Sequence, residues 1–112
     1  MVAAEKNHLI LLKKLLSAGA STNLRNLCGW SSLQIACRHS RVDCVSTLLL
    51  NGADPDLKTD FLGWTCLLLT AEFNHHECMS LLLQYKANMN ICTKRGSSPL
   101  IVATHHGNLK CK

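Results

Sequence analysis

Hydrophobic residues along this chain recur at helical spacing in short blocks, and polar turns separate the blocks. In residues 44–49 the apolar side chains occupy positions i, i+1, i+4 and i+5, which form one broad face of an α-helix. Blocks with the same spacing lie in residues 11–16 and 78–83. Gly19 and Gly52 follow the first two blocks, where glycine readily ends a helix in a left-handed conformation. The pattern predicts three short amphipathic helices.

A second kind of apolar segment alternates with these helices and opens on a glycine. Residues 29–37, 63–71 and 96–104 match column by column, at offsets of 34 and then 33 residues. A hydroxyl residue placed to cap a helix stands two positions after each glycine, at Ser31, Thr65 and Ser98. Pro99 then sits where the first helical turn tolerates a missing N–H. A helix–turn–helix unit is therefore repeated along the chain.

This unit resembles the ankyrin repeat, whose signature is Gly-x-Thr-Pro-Leu-His-x-Ala-Ala, then Gly-His, an apolar helix and Gly-Ala-Asp. The resemblance covers nearly the whole chain. It implies an all-α solenoid in which β-hairpin-like loops, called fingers below, join the helix–turn–helix units. We expect one domain over residues 1–112, made of a partial repeat at 3–27, repeats at 28–62 and 63–95, and a partial repeat at 96–112.

Several positions depart from the signature. Its histidine is replaced by Gln34, Leu68 and Ile101, so we expect the hydrogen bonds that it makes between repeats to be missing. Lys86 replaces a helix-ending glycine, and a left-handed lysine costs about 1 kcal/mol relative to glycine. One extra residue lies in the finger around residues 59–62. These departures predict a stack of modest stability.

Both ends of the chain fall inside a repeat, which predicts a fragment of a larger ankyrin protein. A solenoid normally covers its terminal faces with polar capping repeats. Uncovered ends would allow self-association.

The resemblance also implies where a partner would bind, because the concave face of such a stack is formed by finger tips and by outward positions of the first helices. Trp30 and Trp64 occupy the variable position after the glycine, which usually points into this concave face. Aromatic residues and arginine dominate the energetics of interfaces. The predicted partner-binding residues are Arg25, Leu27, Trp30, Arg38, Lys58, Phe61, Leu62, Trp64, Phe73, Lys94 and Arg95. Apolar anchors with a basic rim predict another protein as partner, bound through an acidic segment with apolar anchors.

Other interpretations of the same surface stay open. The tryptophans can serve to pack against neighbouring fingers and stiffen the stack, so that the chain is only a structural segment of a longer array. Alternatively, Trp30 and Trp64 stack nucleotide bases beside Lys94 and Arg95, as in some ankyrin arrays. Binding that weakens steeply with salt would favour nucleic acid over a protein partner.

Sequence motifs that resemble metal sites or catalytic sites are explained by the repeat pattern. The sequence His75-His76-Glu77-Cys78 and the pair His105-His106 contain zinc-ligand types, but Cys44, Cys78 and Cys111 share a column that holds small core residues. No Cys-x-x-Cys pair indicates redox chemistry, and no Gly-x-Ser-x-Gly turn indicates a hydrolase. We therefore expect no enzyme activity, no metal and no cofactor.

The composition limits the partners and the cellular compartment that we expect. A net charge of +5 favours acidic partners, but the basic residues are scattered. No apolar run approaches the ~20 residues of a membrane span, so we expect no membrane insertion. Seven cysteines without a disulfide-framework spacing favour a reducing compartment, cytoplasmic or nuclear.

Overall fold

The computed structural model describes residues 2–59 and 63–105, with side chains from His8 onward. Six helices follow one another in this part of the chain. They are α1 (Val2–Ser17), α2 (Ser32–Arg38), α3 (Val42–Leu50), α4 (Cys66–Phe73), α5 (His76–Gln84) and α6 (Pro99–His105). Helices α2, α4 and α6 are the predicted first helices, and α3 and α5 are second helices. No strand occurs among the described residues, so the predicted all-α repeat fold is confirmed.

Helix α1 is longer than the other second helices, with 16 residues against nine in α3 and nine in α5. The repeat register aligns Asn7 with Ser40 and Asn74, which adopt positive φ angles of 56° and 60° and reverse the chain between paired helices. In α1 the helix continues through Asn7.

The first helices form the central row of the stack. Helix α2 packs against α3 and α4, and α4 packs against α5 and α6. Their contacts bury aliphatic side chains such as Leu33, Leu67 and Leu82, which are at most 1% exposed. No helix of the described chain is long and apolar enough to cross a bilayer.

The predicted helix caps are present. The Ser31 hydroxyl accepts a hydrogen bond from the Gln34 N–H at 3.3 Å, Thr65 caps α4 through the Leu68 N–H at 3.4 Å, and Ser98 accepts from the Ile101 N–H at 3.3 Å. Pro99 is the first residue of α6, where its missing N–H costs nothing.

The prediction that hydrogen bonds between repeats are missing was wrong at Gln34. Its side-chain Nε2 donates to the Leu57 carbonyl oxygen at 2.8 Å and so ties α2 to the next finger. Its Oε1 accepts from the Ser31 N–H at 2.7 Å, which completes a reciprocal capping box. The amide succeeds because it carries both a donor and an acceptor on one short side chain. Leu68 and Ile101 have no side-chain donor with which to do the same.

Backbone turns at the ends of the second helices follow the sequence. Gly19 and Gly52 have φ of 93° and 86°, and Lys86 has φ of 61° in the same column, as predicted. Ser40 and Asn74 were not predicted to be left-handed.

Each finger closes through a hydrogen bond from a backbone N–H to the carbonyl of the residue before the helix cap. Asn26 donates to Trp30, Thr59 to Trp64 and Thr93 to Ser97, all at 2.9 Å. The middle pair spans one residue more than the other two, so the extra residue lies in that finger, as predicted. Phe61 and Leu62 belong to it but lie outside the described residues.

Side-chain carboxylates and amides also link successive fingers. The Asp54 N–H donates to Asn23 Oδ1 at 2.9 Å, and the Asn88 N–H donates to Asp56 Oδ1 at 2.8 Å. Asn23 and Asp56 occupy the same repeat column, three residues after the alanine of the Gly-Ala-Asp segment. This link between repeats was missed from the sequence.

Candidate functional site

The two tryptophans are held at the base of the first two fingers. The Trp30 N–H donates to Asn26 Oδ1 at 3.0 Å, and the Trp64 N–H donates to Thr59 Oγ1 at 3.1 Å. Both tryptophan side chains are half-buried. Their backbones are therefore fixed before any partner arrives, while part of each indole remains open.

Arg38, the last residue of α2, lies between two aromatic rings. Its guanidinium carbon is 5.7 Å from the ring centroid of Trp30 and 5.6 Å from that of Phe73. Cation–π contacts of this kind hold the planar group in place. A stacked guanidinium still presents its N–H edges in its own plane, where a carboxylate binds with two hydrogen bonds.

Phe73 and His75 complete this arrangement from the next repeat. Their rings stack at 6.1 Å between centroids, and His75 Nε2 donates to the Arg38 carbonyl oxygen at 2.8 Å. A carbonyl only accepts, so Nε2 carries the proton. This hydrogen bond gives His75 a structural role between repeats.

Trp30, Arg38 and Phe73 line one groove of about 420 Å³ at the finger bases and first helices, called the concave groove below. Its lining consists of Cys28, Trp30, Arg38, Thr59, Trp64, Leu69, Glu72 and Phe73. The groove is mostly apolar, with one cationic and one anionic side chain at its walls. Phe73 remains 43% exposed, so it is available to a ligand.

A second groove, of about 510 Å³, lies between α1 and α3. Leucine, serine, threonine, asparagine, Lys13 and Asp43 line it, without an aromatic residue. It lacks the residue types that anchor interfaces.

The structure brings four of the predicted binding residues together and leaves the others apart. Trp30, Arg38, Trp64 and Phe73 share the concave groove. Five more do not line it and are exposed, namely Arg25, Leu27, Lys58, Lys94 and Arg95. Phe61 and Leu62 lie outside the described residues.

Two of the exposed residues lie close to the fingers. Leu27 is fully exposed, at 104% of its reference area. The stem of Lys94 runs beside Gly63, since a methyl group added to that glycine would lie 3.2 Å from Lys94 Cγ. Lys94 thus contacts the neighbouring finger without lining the groove.

Four residues that line the groove are not among the predicted binding residues, namely Cys28, Thr59, Leu69 and Glu72. Leu69 belongs to a column of core residues and is only 4% exposed, so nothing marked it as part of a surface. It lies one helical turn before Phe73, and this spacing is the signal that could have found it.

The buried cysteines form a separate cluster in the core. A hydrogen bond with Cys66, and then burial, raise the pKa of the Cys37 thiol far above its ordinary value. Burial raises the pKa of Cys78 to about 11. These thiols stay protonated at neutral pH, consistent with the prediction that Cys78 is a small core residue.

The fold defines a helical-repeat protein with a mostly apolar groove shared by two successive repeats. A sequence profile described as ankyrin repeats (3 copies) matches residues 40–111, and one described as ankyrin repeats (many copies) matches residues 1–49. The chain belongs to the ankyrin-repeat family. Repeats of this family serve in general as protein-interaction modules.

Several relatives share this repeat region. The probable E3 ubiquitin-protein ligase XBOS33 of Oryza sativa subsp. japonica is 40% identical over 72% of this chain, which covers 16% of that relative. The ankyrin repeat and KH domain-containing protein mask-1 of Caenorhabditis elegans is 36% identical over 80% of the chain and 3% of the relative. Ankyrin repeat and SOCS box protein 3 of Bos taurus is 30% identical over 88% and 19%. The chain thus spans less than a fifth of each relative.

Proposed function

We propose that this chain is a protein-recognition module and that its partner binds in the concave groove. The observation that carries the proposal is the meeting of Trp30, Arg38, Trp64 and Phe73 around one open cavity. They come from two successive repeats, Trp30 and Arg38 from one and Trp64 and Phe73 from the next. Aromatic residues and arginine in a shared pocket are the usual anchors of a protein interface.

The chemistry of the groove supports a partner segment that carries a carboxylate beside an apolar side chain. Arg38 is already held by cation–π contacts with Trp30 and Phe73, so little side-chain entropy is lost when a carboxylate binds to it. Trp64 and Leu69 supply apolar surface in the same groove. The excess of basic over acidic residues, 12 against seven, favours an acidic segment.

The nucleotide interpretation receives less support from the geometry. It requires basic residues beside the tryptophans, but Lys94 and Arg95 do not line the groove. Arg38 alone would contact phosphate. A protein partner therefore remains the proposal, and binding of nucleic acid is one outcome that the experiment below distinguishes from it.

The chain itself is proposed to be non-catalytic. The ligase activity in the name of one relative belongs to that longer protein, of which this chain matches a small part. The proposed location is the cytoplasm or nucleus, because the six described cysteines are free thiols.

A capture experiment tests the proposal. The wild-type chain, Phe73→Ala and the double variant Trp30→Ala with Trp64→Ala are used to capture proteins from cytosolic lysate. Tyr85→Ala is the matched control, since Tyr85 is similarly exposed, at 38%, but lies outside the groove. Circular dichroism first establishes equal helicity.

The proposal expects proteins that are captured by wild type and Tyr85→Ala and lost with both groove variants. Capture that is equal for all folded variants would place binding elsewhere and contradict it. Captured nucleic acid, released steeply by salt, would favour the nucleotide interpretation instead.

A further inference from the structure

The third finger, which closes between Thr93 and Ser97, carries two basic residues that the concave groove does not use. Lys94 and Arg95 are exposed and do not line the groove. They stand three and two positions before Ser97 in the sequence. Protein kinases select substrates partly by charge, and one large class requires basic residues at these two positions before the serine. The finger therefore has the sequence pattern of a substrate for such a kinase.

The Ser97 hydroxyl is open to reaction. The backbone of Ser97 is fixed, since its N–H donates to Thr93 Oγ1 at 3.2 Å and its carbonyl accepts from the Thr93 N–H at 2.9 Å. Its own Oγ makes no hydrogen bond within the described chain. No buried side-chain oxygen of the described residues lacks a hydrogen bond, so the Ser97 hydroxyl reaches solvent. The neighbouring Ser98 hydroxyl is engaged, because it accepts from the Ile101 N–H.

The position of Ser97 stays accessible when another repeat follows it. Ser97 shares a column with Trp30 and Trp64, directly after the glycine of each finger. Trp64 has the third finger beside it, where Lys94 lies against Gly63, and Trp64 is still only half-buried. Trp30 is also half-buried, with the second finger beside it. A side chain in this column is therefore not covered by the next finger.

The third finger can open without disrupting a helix. A kinase binds the residues around its target serine as an extended segment, so the turn must unfold locally. Its backbone hydrogen bonds, from Thr93 to Ser97 and from the Gly96 N–H to the Thr93 carbonyl, both measure 2.9 Å and lie within residues 93–97. Helix α6 begins only at Pro99. Local openings of exposed loops need little free energy.

We propose that Ser97 is a phosphorylation site for a protein kinase that selects basic residues two and three positions before the serine. The Ser97 Oγ attacks the γ-phosphorus of ATP, the bond from that phosphorus to the β,γ-bridging oxygen breaks, and ADP leaves. The hydroxyl proton passes to the catalytic aspartate of the kinase. The product carries a charge of about −2 at neutral pH.

The phosphate acts on the concave groove, and this consequence rests on the proposed function. Equivalent positions of adjacent repeats lie about 10 Å apart, the spacing of packed helices, so the phosphate stands about that far from Trp64. This distance is close to the Debye length of about 10 Å at 0.1 M salt. Like-charge repulsion should therefore weaken the binding of an acidic segment by about twofold to fourfold.

Treatment of the folded 112-residue chain with the catalytic subunit of cyclic AMP-dependent protein kinase tests the site, and mass spectrometry locates the phosphate. Ser97→Ala should remove the phosphate. Arg95→Gln should slow its incorporation by about tenfold or more, because a close charge pair with the kinase is lost. Lys14→Gln is the matched control and should change nothing, since Lys14 stands three positions before Ser17, which is the last residue of α1.

A folded chain without phosphate on Ser97, or with phosphate on Ser17 or Ser98 instead, would overturn the proposal. A peptide of residues 90–101 is treated in parallel. Phosphate on the peptide but not on the folded chain would show that the finger does not open, and this result would overturn the proposal as well.

The effect on the groove has a separate measurement. Among the proteins that wild type captures and Phe73→Ala loses, the phosphorylated chain should retain less, and phosphatase treatment should restore capture. Equal capture before and after phosphorylation would overturn the effect on the groove. Capture that does not depend on Phe73 would instead contradict the proposed function, while phosphate located on Ser97 would still support the site.

Discussion

Gln34 stands where the ankyrin signature has a histidine, and its amide performs two functions in this chain. It completes the capping box of α2 with Ser31 and donates to the Leu57 carbonyl oxygen of the next finger. The residue itself was visible in the sequence. Its role was not, because the partner is the backbone of another repeat, 23 residues away.

Replacement of this amide should destabilise the stack. Gln34→Leu leaves the Ser31 N–H and the Leu57 carbonyl without their side-chain partner, so we expect the free energy of unfolding to fall by about 1–3 kcal/mol. Urea unfolding followed by circular dichroism measures it. The control Gln84→Leu, at an exposed position, should change stability by less than about 0.5 kcal/mol. Similar values for both variants would contradict the role of Gln34.

A glycine at position 86 should stabilise the chain. Lys86 has φ of 61°, so Lys86→Gly relieves left-handed strain, and we expect a gain of about 1 kcal/mol in the free energy of unfolding. Gln84→Gly, at the last residue of α5, should instead lose stability, by less than the roughly 1 kcal/mol that glycine costs in a helix interior. Thermal unfolding of the pair checks the opposite signs, and a loss of stability in both would refute the strain argument.

At the scale of the elements, the periodic pattern predicted α2 to α6 because each helix has a strong local signal. The signal is a hydroxyl cap for α2, α4 and α6 and an amphipathic apolar face for α3 and α5. The continuous α1 was not predicted, because the repeat register places a turn at Asn7, where the helix instead continues. The links from Asn23 and Asp56 between fingers were missed because each joins residues of different repeats.

Helices α2, α4 and α5 pack around buried thiols, so the free energy of unfolding should fall at alkaline pH. The pKa of Cys78 rises from its ordinary value of 9.0 to about 11, so the folded state holds its proton longer than the unfolded state. The contribution of the protonated Cys78 thiol to folding stability is fully present below pH 9 and is lost as the pH rises toward 11.

We therefore expect urea midpoints to fall between pH 9 and 11. Cys37, whose pKa is also raised, acts in the same direction. Cys78→Ala should make this decline shallower, whatever its effect on stability at neutral pH. A decline of unchanged slope in Cys78→Ala would show that Cys78 does not contribute.

At the scale of the whole molecule, the repeat register is enough to predict that Trp30, Arg38, Trp64 and Phe73 share one face. Their meeting in a groove follows from the stacking of two repeats. The register could not separate them from exposed residues such as Leu27, because it gives the side of a repeat but not the shape of the surface. It also could not mark Leu69 of α4, because this residue is buried in the core and also lines the groove.

The central claim is that a protein partner binds in the concave groove, and the tryptophans report on this groove directly. The chain has two tryptophans, and both line it. Incorporation of 5-fluorotryptophan gives two ¹⁹F resonances, which single Trp→Phe variants assign. The captured partner, left unlabelled, is then titrated into the labelled chain while calorimetry measures binding.

The account predicts that both resonances shift and saturate together with the calorimetric isotherm, and that the shifts disappear with Phe73→Ala but persist with Tyr85→Ala. Binding that leaves both tryptophan resonances unchanged would contradict it and place the partner on another surface of the stack.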